Sequence, residues 1–351
     1  MLNTDKVRDA LRSIPEPELG KNLVELGMIK DIRVDSGKVT LTLALTTLRC
    51  PRKKQMVGQI KKVVGEIPGV ITVDVQVAEL SDEERKRLFP KHPLVGIEKV
   101  GQILAVASGK GGVGKTTVAV NIALALAGEG KKVGLLDADV YGPSIPLMLG
   151  LSQKPNIENG MLIPVEKFGL KIISFGMLMK EGQAVVWRGP LVARAIKQLL
   201  GEVMWGELDY LVVDLPPGTG DPSITIAQSL PKVKVLMVTT PQEAALVDVR
   251  RSVELFVKFK REIIGFIENM SYFLANDSSE PIAIFGQGGG DTLSRETGLP
   301  LLGAIPIDLE ISRAGDSGEP LLVSSAASSA AQIFRDVARK ILKRADDKKI
   351  C

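Results

Sequence analysis

The sequence predicts an α/β protein, a mostly parallel sheet built around a phosphate-binding loop and preceded by a small α+β unit. Three observations carry this. From about residue 100, seven apolar runs alternate with helical stretches: 102–107, 132–137, 171–175, 209–214, 233–239, 263–267 and 300–305. Continuous apolar runs suit parallel strands covered on both faces. The first of them leads into Ser108-Gly-Lys-Gly-Gly-Val-Gly-Lys-Thr-Thr117, which fits G-x-x-x-x-G-K-[ST], and a helical stretch, 116–127, follows. A strand before that loop and a helix after it are the context in which it works. Residues 1–80 instead show short segments that alternate apolar and polar with period two.

In the N-terminal unit, Lys6-Val-Arg-Asp-Ala-Leu-Arg12 reads as a helix that Pro15 and Pro17 stop. Lys30-Asp-Ile-Arg-Val34 and Val39-Thr-Leu-Thr-Leu-Ala-Leu45 read as strands, and Asp35-Ser-Gly-Lys38 between them has hairpin chemistry. Pro51 opens a helix with Met56, Ile60, Val63 and Val64 on one face. Val70-Ile-Thr-Val-Asp-Val-Gln-Val77 reads as a further alternating strand. The charged segment Ser81-Asp-Glu-Glu-Arg-Lys-Arg87, followed by Pro90 and Pro93, reads as a short solvated helix and a joint. The domain reading is 1–80, a linker over 81–100, and 101–351.

Composition narrows the function classes. The 351 residues are 45% hydrophobic and 25% charged, with a net charge of +4. A balance so near neutral argues against nucleic-acid binding and against stable membrane association. With no apolar signal region at the N-terminus and no apolar run long enough to span a bilayer, the expected location is the cytoplasm. Cys50 and Cys351 form at most one disulfide, and His92 is the single histidine, which excludes a dedicated Cys/His metal cage within one chain.

The loop residues specify their chemistry. Gly109, Gly111, Gly112 and Gly114, with Val113 between, let backbone amides turn around a polyphosphate, and the helix start at Thr116 and Thr117 adds unpaired N–H groups. Lys115 would reach the β- and γ-phosphates of ATP, and the Thr116 hydroxyl would sit on Mg²⁺. Val133-Gly-Leu-Leu-Asp-Ala-Asp-Val140 ends a strand with Asp137 and Asp139, and Leu211-Val-Val-Asp214 ends another before the Gly/Pro-rich loop 215–221. Acids at strand ends beside the phosphate loop are what Mg²⁺ needs, although strand or helix capping is their alternative role. Few groups here qualify as a general base, so hydrolysis is expected to be slow.

Lys110, directly after the first loop glycine, resembles the deviant phosphate loop of MinD/ParA-type ATPases, a resemblance that implies a fold of the SIMIBI type. The wider text resembles the Mrp/ApbC family of cytosolic iron–sulfur cluster carrier ATPases. It does so at 105–117, Asp137-Ala-Asp-Val-Tyr-Gly-Pro-Ser144, Trp187-Arg-Gly-Pro190, Asp214-Leu-Pro-Pro-Gly-Thr-Gly-Asp221 and Glu268-Asn-Met-Ser-Tyr272. Pro17-Glu-Leu-Gly20, Leu23-Val-Glu-Leu-Gly27 and Thr46-Thr-Leu-Arg-Cys-Pro51 resemble the small iron–sulfur-assembly domain fused ahead of that ATPase. The resemblance implies a homodimer in which Lys110 binds phosphate across the interface. It also implies that Asp139 positions the attacking water, Asn269 reads the adenine edge, and Pro306 packs on the base. Apo iron–sulfur proteins are the implied clients.

The chain departs from that family at the cargo end. The usual Cys-x-x-Cys after Asn269-Met-Ser-Tyr272 falls here on Ala275 and Ser278, neither of which supplies a thiolate to iron. Cys50, before Pro51 at a predicted helix start, remains a candidate cluster ligand or reactive thiol, while Cys351 reads as tail. Arg188 reads equally as a phosphate or dimer contact and as part of a helix entry with packed Trp187. The amphipathic segment 330–342 reads as a helix packed on the sheet rather than a membrane-docking one. Two alternatives to a cluster carrier stay open, a cluster-free ATP-switched scaffold and a MinD/ParA-like positioning ATPase.

Overall fold

The structure is a computed structural model and describes residues 2–16, 21–45, 48, 52–81, 83–84, 94–179, 189–275 and 280–347. The chain divides into two compact units, Met1–His92 and Pro93–Cys351.

The first unit opens with a helix, Thr4–Leu11, which starts earlier than the sequence suggests because the Asn3 side chain accepts the Lys6 amide as an N-cap. Strands β1 (Ile29–Asp35) and β2 (Lys38–Leu45) pair antiparallel, with Asp35 opposite Lys38. The two loop residues, Ser36 (φ 45°) and Gly37 (φ 84°), are both left-handed, as a type I′ hairpin requires. The helix Lys53–Gly65 then crosses over to β3 (Thr72–Glu79), which runs parallel to β2. β3 begins two residues later than the alternation implies, because the Val70 amide is tied to the Ile67 carbonyl in a turn that holds Gly69 at φ 96°. Val7, Leu11, Leu41, Leu43, Met56, Ile60 and Val64 form the core of this unit.

The second unit holds the remaining strands. These are β4 (Val100–Ser108), β5 (Val133–Asp137), β6 (Ile157–Glu158), β7 (Met161–Leu162), β8 (Val165–Lys167), β9 (Leu170–Ser174), β10 (Leu208–Asp214), β11 (Lys234–Thr239), β12 (Glu262–Glu268), β13 (Phe273–Leu274), β14 (Pro281–Ile282) and β15 (Leu301–Ala304). An eight-stranded sheet has the order β15-β12-β11-β4-β10-β5-β9-β8. Every neighbouring pair is parallel except β8 with β9, and the seven apolar runs supply the seven parallel strands. β8 is a three-residue edge strand without an apolar run, made by another two-residue left-handed turn at Phe168 (φ 51°) and Gly169 (φ 77°). The β6–β7 hairpin turns the same way at Asn159-Gly160, an Asn-Gly signal that the sequence carries.

Helices cover both faces. Helix Lys115–Gly128 packs on one face with the C-terminal helix Ser329–Asp347, whose Phe334, Val337, Ala338 and Ile341 are buried. The apolar row of that last helix is thus spent on the sheet, as the amphipathic pattern implied. On the other face, helices Gly189–Gly201, Asp221–Ser229, Glu243–Lys258 and Gly289–Thr297 bury Ile196, Ile226, Val249, Phe256 and Leu293. Among the described residues, no helix is long and apolar enough to cross a membrane.

Candidate functional site

The phosphate loop follows the central strand β4, so its surroundings are the carboxyl ends of β10 and β5 on one side and of β11 and β12 on the other. Close neighbours leave no room for a side chain at two of its positions. A Cβ at Gly109 would overlap the backbone of Asp248 and Val249, so this glycine lets the loop lie against helix Glu243–Lys258. Gly114, at φ 77°, is the N-cap of helix Lys115–Gly128, and a Cβ there would overlap the Asn269 amide.

Registration across the sheet places the acids. Val106 of β4 aligns with Asp214 of β10, and Asp214 aligns with Asp137 of β5. Asp214 is therefore one strand from the loop and Asp137 two. Lys115 Nζ lies 2.5 Å from Asp214 Oδ1, and the Thr116 hydroxyl donates to Asp214 Oδ2 at 2.7 Å. Asp139 Oδ2 is 3.9 Å from Lys115 Nζ. All three side chains of the Lys115–Asp214–Asp139 group are largely withdrawn from water, so their charges act in a poorly screened environment. Burial raises the Asp214 carboxyl above its ordinary value, with Lys115 and Thr116 opposing.

Asp137 is committed differently. Its Oδ1 accepts the Asp139 amide at 3.1 Å, and its Oδ2 accepts the Ser174 hydroxyl at 2.8 Å and the Ile145 amide at 3.3 Å. Burial, reinforced by the nearby Asp214 charge, pushes its carboxyl up to about 7. Asp139 Oδ1 in turn accepts the Tyr141 and Gly142 amides at 3.2 and 3.3 Å. Both acids thus have capping roles, and Asp139 keeps its second oxygen toward Lys115. An oxygen pair from Thr116 and Asp214 beside a polyphosphate loop suits a hard cation such as Mg²⁺.

Lys110 Nζ reaches Gln242 Oε1 at 3.5 Å, and the same oxygen accepts from the Thr240 hydroxyl at 3.3 Å. Beyond β12, Asn269 donates its side-chain amide to the Val113 carbonyl at 2.9 Å and its backbone amide to Thr239 at 2.8 Å. A cavity of about 620 Å³ opens here, lined by Gly114, Thr117, Asn269, Pro306, Phe285 and Ile311 among others. The structure therefore brings together the phosphate loop, Asn269 and Pro306. The apolar walls Phe285 and Ile311, and the supports Ser174 and Gln242, escaped the sequence reading because no local pattern marks them.

Ala275 follows β13 and has no donor atom in its side chain. Cys50, Ser278, Trp187, Arg188, His92 and Cys351 lie outside the described residues.

The model of the family described as NUBPL iron-transfer P-loop NTPase matches residues 99–342. The chain belongs to this family. A second model, described as iron-sulfur cluster assembly protein, matches residues 4–75. An iron–sulfur cluster carrier protein of Synechocystis sp. is 45% identical over 347 residues and covers 97% of both chains. One of Bacillus subtilis is 38% identical over 355 residues, covering 97% of this chain and 98% of its own. Among solved structures, a nucleotide-binding protein of Archaeoglobus fulgidus in complex with ADP superposes with a TM-score of 0.57 at 39% identity, over 64% of this chain and 88% of that one. The cell division ATPase MinD of Pyrococcus furiosus gives 0.52 at 25%, over 69% and 99%.

Proposed function

We propose that this chain binds ATP with Mg²⁺, hydrolyses it slowly, and uses the cycle as a homodimeric cytoplasmic carrier that delivers iron–sulfur clusters to apoproteins. The carrying observation is the Lys115–Asp214–Thr116 group, whose chain neighbours Gly114 and Thr117 line a cavity bordered by Asn269 and Pro306. Gly109 to Thr117 would cradle the phosphates with backbone amides. Asn269 offers an amide able to pair with the donor–acceptor edge of adenine, and Pro306 an apolar surface for its face.

Thr116 and Asp214, with Asp137 behind them, would hold Mg²⁺, which supplies charge neutralisation at the phosphate oxygens. Lys115 would neutralise charge on the β- and γ-phosphates, and Lys110 would do so for the partner's nucleotide. The Asp139 oxygen nearest Lys115 is placed to orient a water. The nearby carboxylates are bound by lysine, hydroxyl or amide donors, so positioning and charge neutralisation dominate, which is the basis for slow turnover. The test is Lys115→Ala: ATPase activity is expected to be abolished, and undiminished activity sinks the reading.

A second reading, a cluster-free ATP-switched scaffold, draws support from Ala275 at an expected ligand position. Anaerobic reconstitution with iron and sulfide separates the two. Bound iron lost on Cys50→Ala supports the carrier; no iron on the wild-type dimer supports the scaffold.

A further inference from the structure

We propose that Glu268 is a positioning residue that ties the base-binding edge of the nucleotide cavity to the chain segment forming part of its apolar wall. This rests on the reading of that cavity as the nucleotide site. Glu268 ends β12 and is only 3% exposed. A buried carboxylate is costly unless each oxygen is hydrogen-bonded. Here Oε1 accepts the Ser271 hydroxyl at 2.5 Å and Oε2 accepts the Gly290 amide at 2.6 Å. Both oxygens are thus satisfied, and Gly290 lies in the first turn of helix Gly289–Thr297, where a backbone amide has no partner within the helix.

The two partners bracket the stretch that carries Ile284 and Phe285, both of which line the cavity. One side chain therefore pins the chain before and after that wall. The attachment at Gly290 is close: a Cβ there would lie 2.7 Å from Leu301, and one at Gly289 would lie 2.9 Å from the Pro241 backbone. The other half of the joint faces the base. Asn269 is the next residue after Glu268. The Glu268 carbonyl accepts the Ile305 amide at 2.8 Å, the Ser271 amide donates to Ile305 at 2.9 Å, and the Ile307 amide donates to Tyr272 at 2.7 Å. Those bonds fix Pro306, on the cavity, against the strand end that carries Asn269.

The test uses the full chain and three variants, Glu268→Ala, Ser271→Ala and Glu268→Gln. A glutamine amide can donate to Ser271 while its carbonyl accepts from Gly290, so it is the conservative rescue. Hydrogen exchange without nucleotide is expected to speed up at the amides of 280–289 in both alanine variants, to stay unchanged at 109–117, and to return to normal in Glu268→Gln. KM for ATP is expected to rise roughly tenfold in Glu268→Ala, as for the loss of one buried hydrogen bond, with kcat preserved and KM restored by Gln. Unchanged exchange at 280–289, acceleration extending over 109–117, or an unaltered KM each overturns the proposal. A wild-type chain that binds no ATP overturns the nucleotide reading instead, a result the exchange data do not share.

Discussion

Lys115 and Asp214 form a buried pair at the candidate site, where losing one partner affects folding and chemistry together. The two side chains are 6% and 0% exposed and 2.5 Å apart. Removing one partner strands a charge in the interior, so Lys115→Ala is expected to lose about 3–5 kcal/mol of stability in urea denaturation. Adding Asp214→Asn removes the stranded charge. The double variant is expected to recover most of that stability and none of the ATPase activity, which separates folding from chemistry. Asp137 contributes a pH dependence of its own. Its folded value of about 7 lies above its ordinary 3.8, so the native state holds the proton more tightly than the unfolded chain. The contribution to stability is therefore fully present below pH about 4 and is lost as pH rises toward about 7. Asp137→Asn cannot ionise, and its stability relative to wild type is expected to improve by a few kcal/mol across that window. Parallel curves for the two proteins in urea titrations at several pH values would count against this.

At the level of elements, tight turns and close approaches place the parts. Gly37 holds φ 84° in the β1–β2 turn, with the Ile71 side chain 2.8 Å from where a Cβ would stand. Gly37→Ala is expected to cost about 1–2 kcal/mol or more in the N-terminal unit, since a left-handed residue with a side chain is strained. Gly109 makes the sharper case. Alanine there would meet backbone, not a flexible side chain, so either the loop or helix Glu243–Lys258 must shift. A displacement of about 1 Å at a reacting centre costs about a hundredfold. Gly109→Ala is therefore expected to keep its circular dichroism spectrum while its ATPase rate falls by a comparable factor.

For the whole molecule, two compact units with separate cores imply two cooperative transitions. A ligand stabilises only the unit that binds it. Calorimetry of the full chain with Mg²⁺ and ATP is expected to raise the transition of the larger unit and leave that of the smaller one unmoved. A shift of both would mean that the units fold as one. Two features were legible without coordinates at this scale. The seven parallel strands announced themselves because burial on both faces demands unbroken apolar runs, and the phosphate loop did so because its turn demands glycines at fixed spacing. β8 was not legible: three residues at a sheet edge need no apolar run, and a hairpin turn with Phe168 in a left-handed conformation carries a weaker signal than Asn-Gly.

The sequence by itself determined the chemistry on offer: the loop 109–117, a lysine at 110, acids at 137, 139 and 214, and alanine and serine where a cysteine pair is expected. These follow from local backbone requirements and from side-chain identity, which are written in consecutive residues. Only the tertiary structure decided how they are used. β10 inserts between β4 and β5, so Asp214 reaches Lys115 and Thr116 while Asp137 caps the neighbouring strand ends. Glu268 meets Gly290 for the same reason: the partner lies 22 residues along the chain, and only the docking of a helix on the strand ends brings that amide to the carboxylate. Periodicity and spacing report what a segment buries, whereas sheet order and helix docking choose which segments meet.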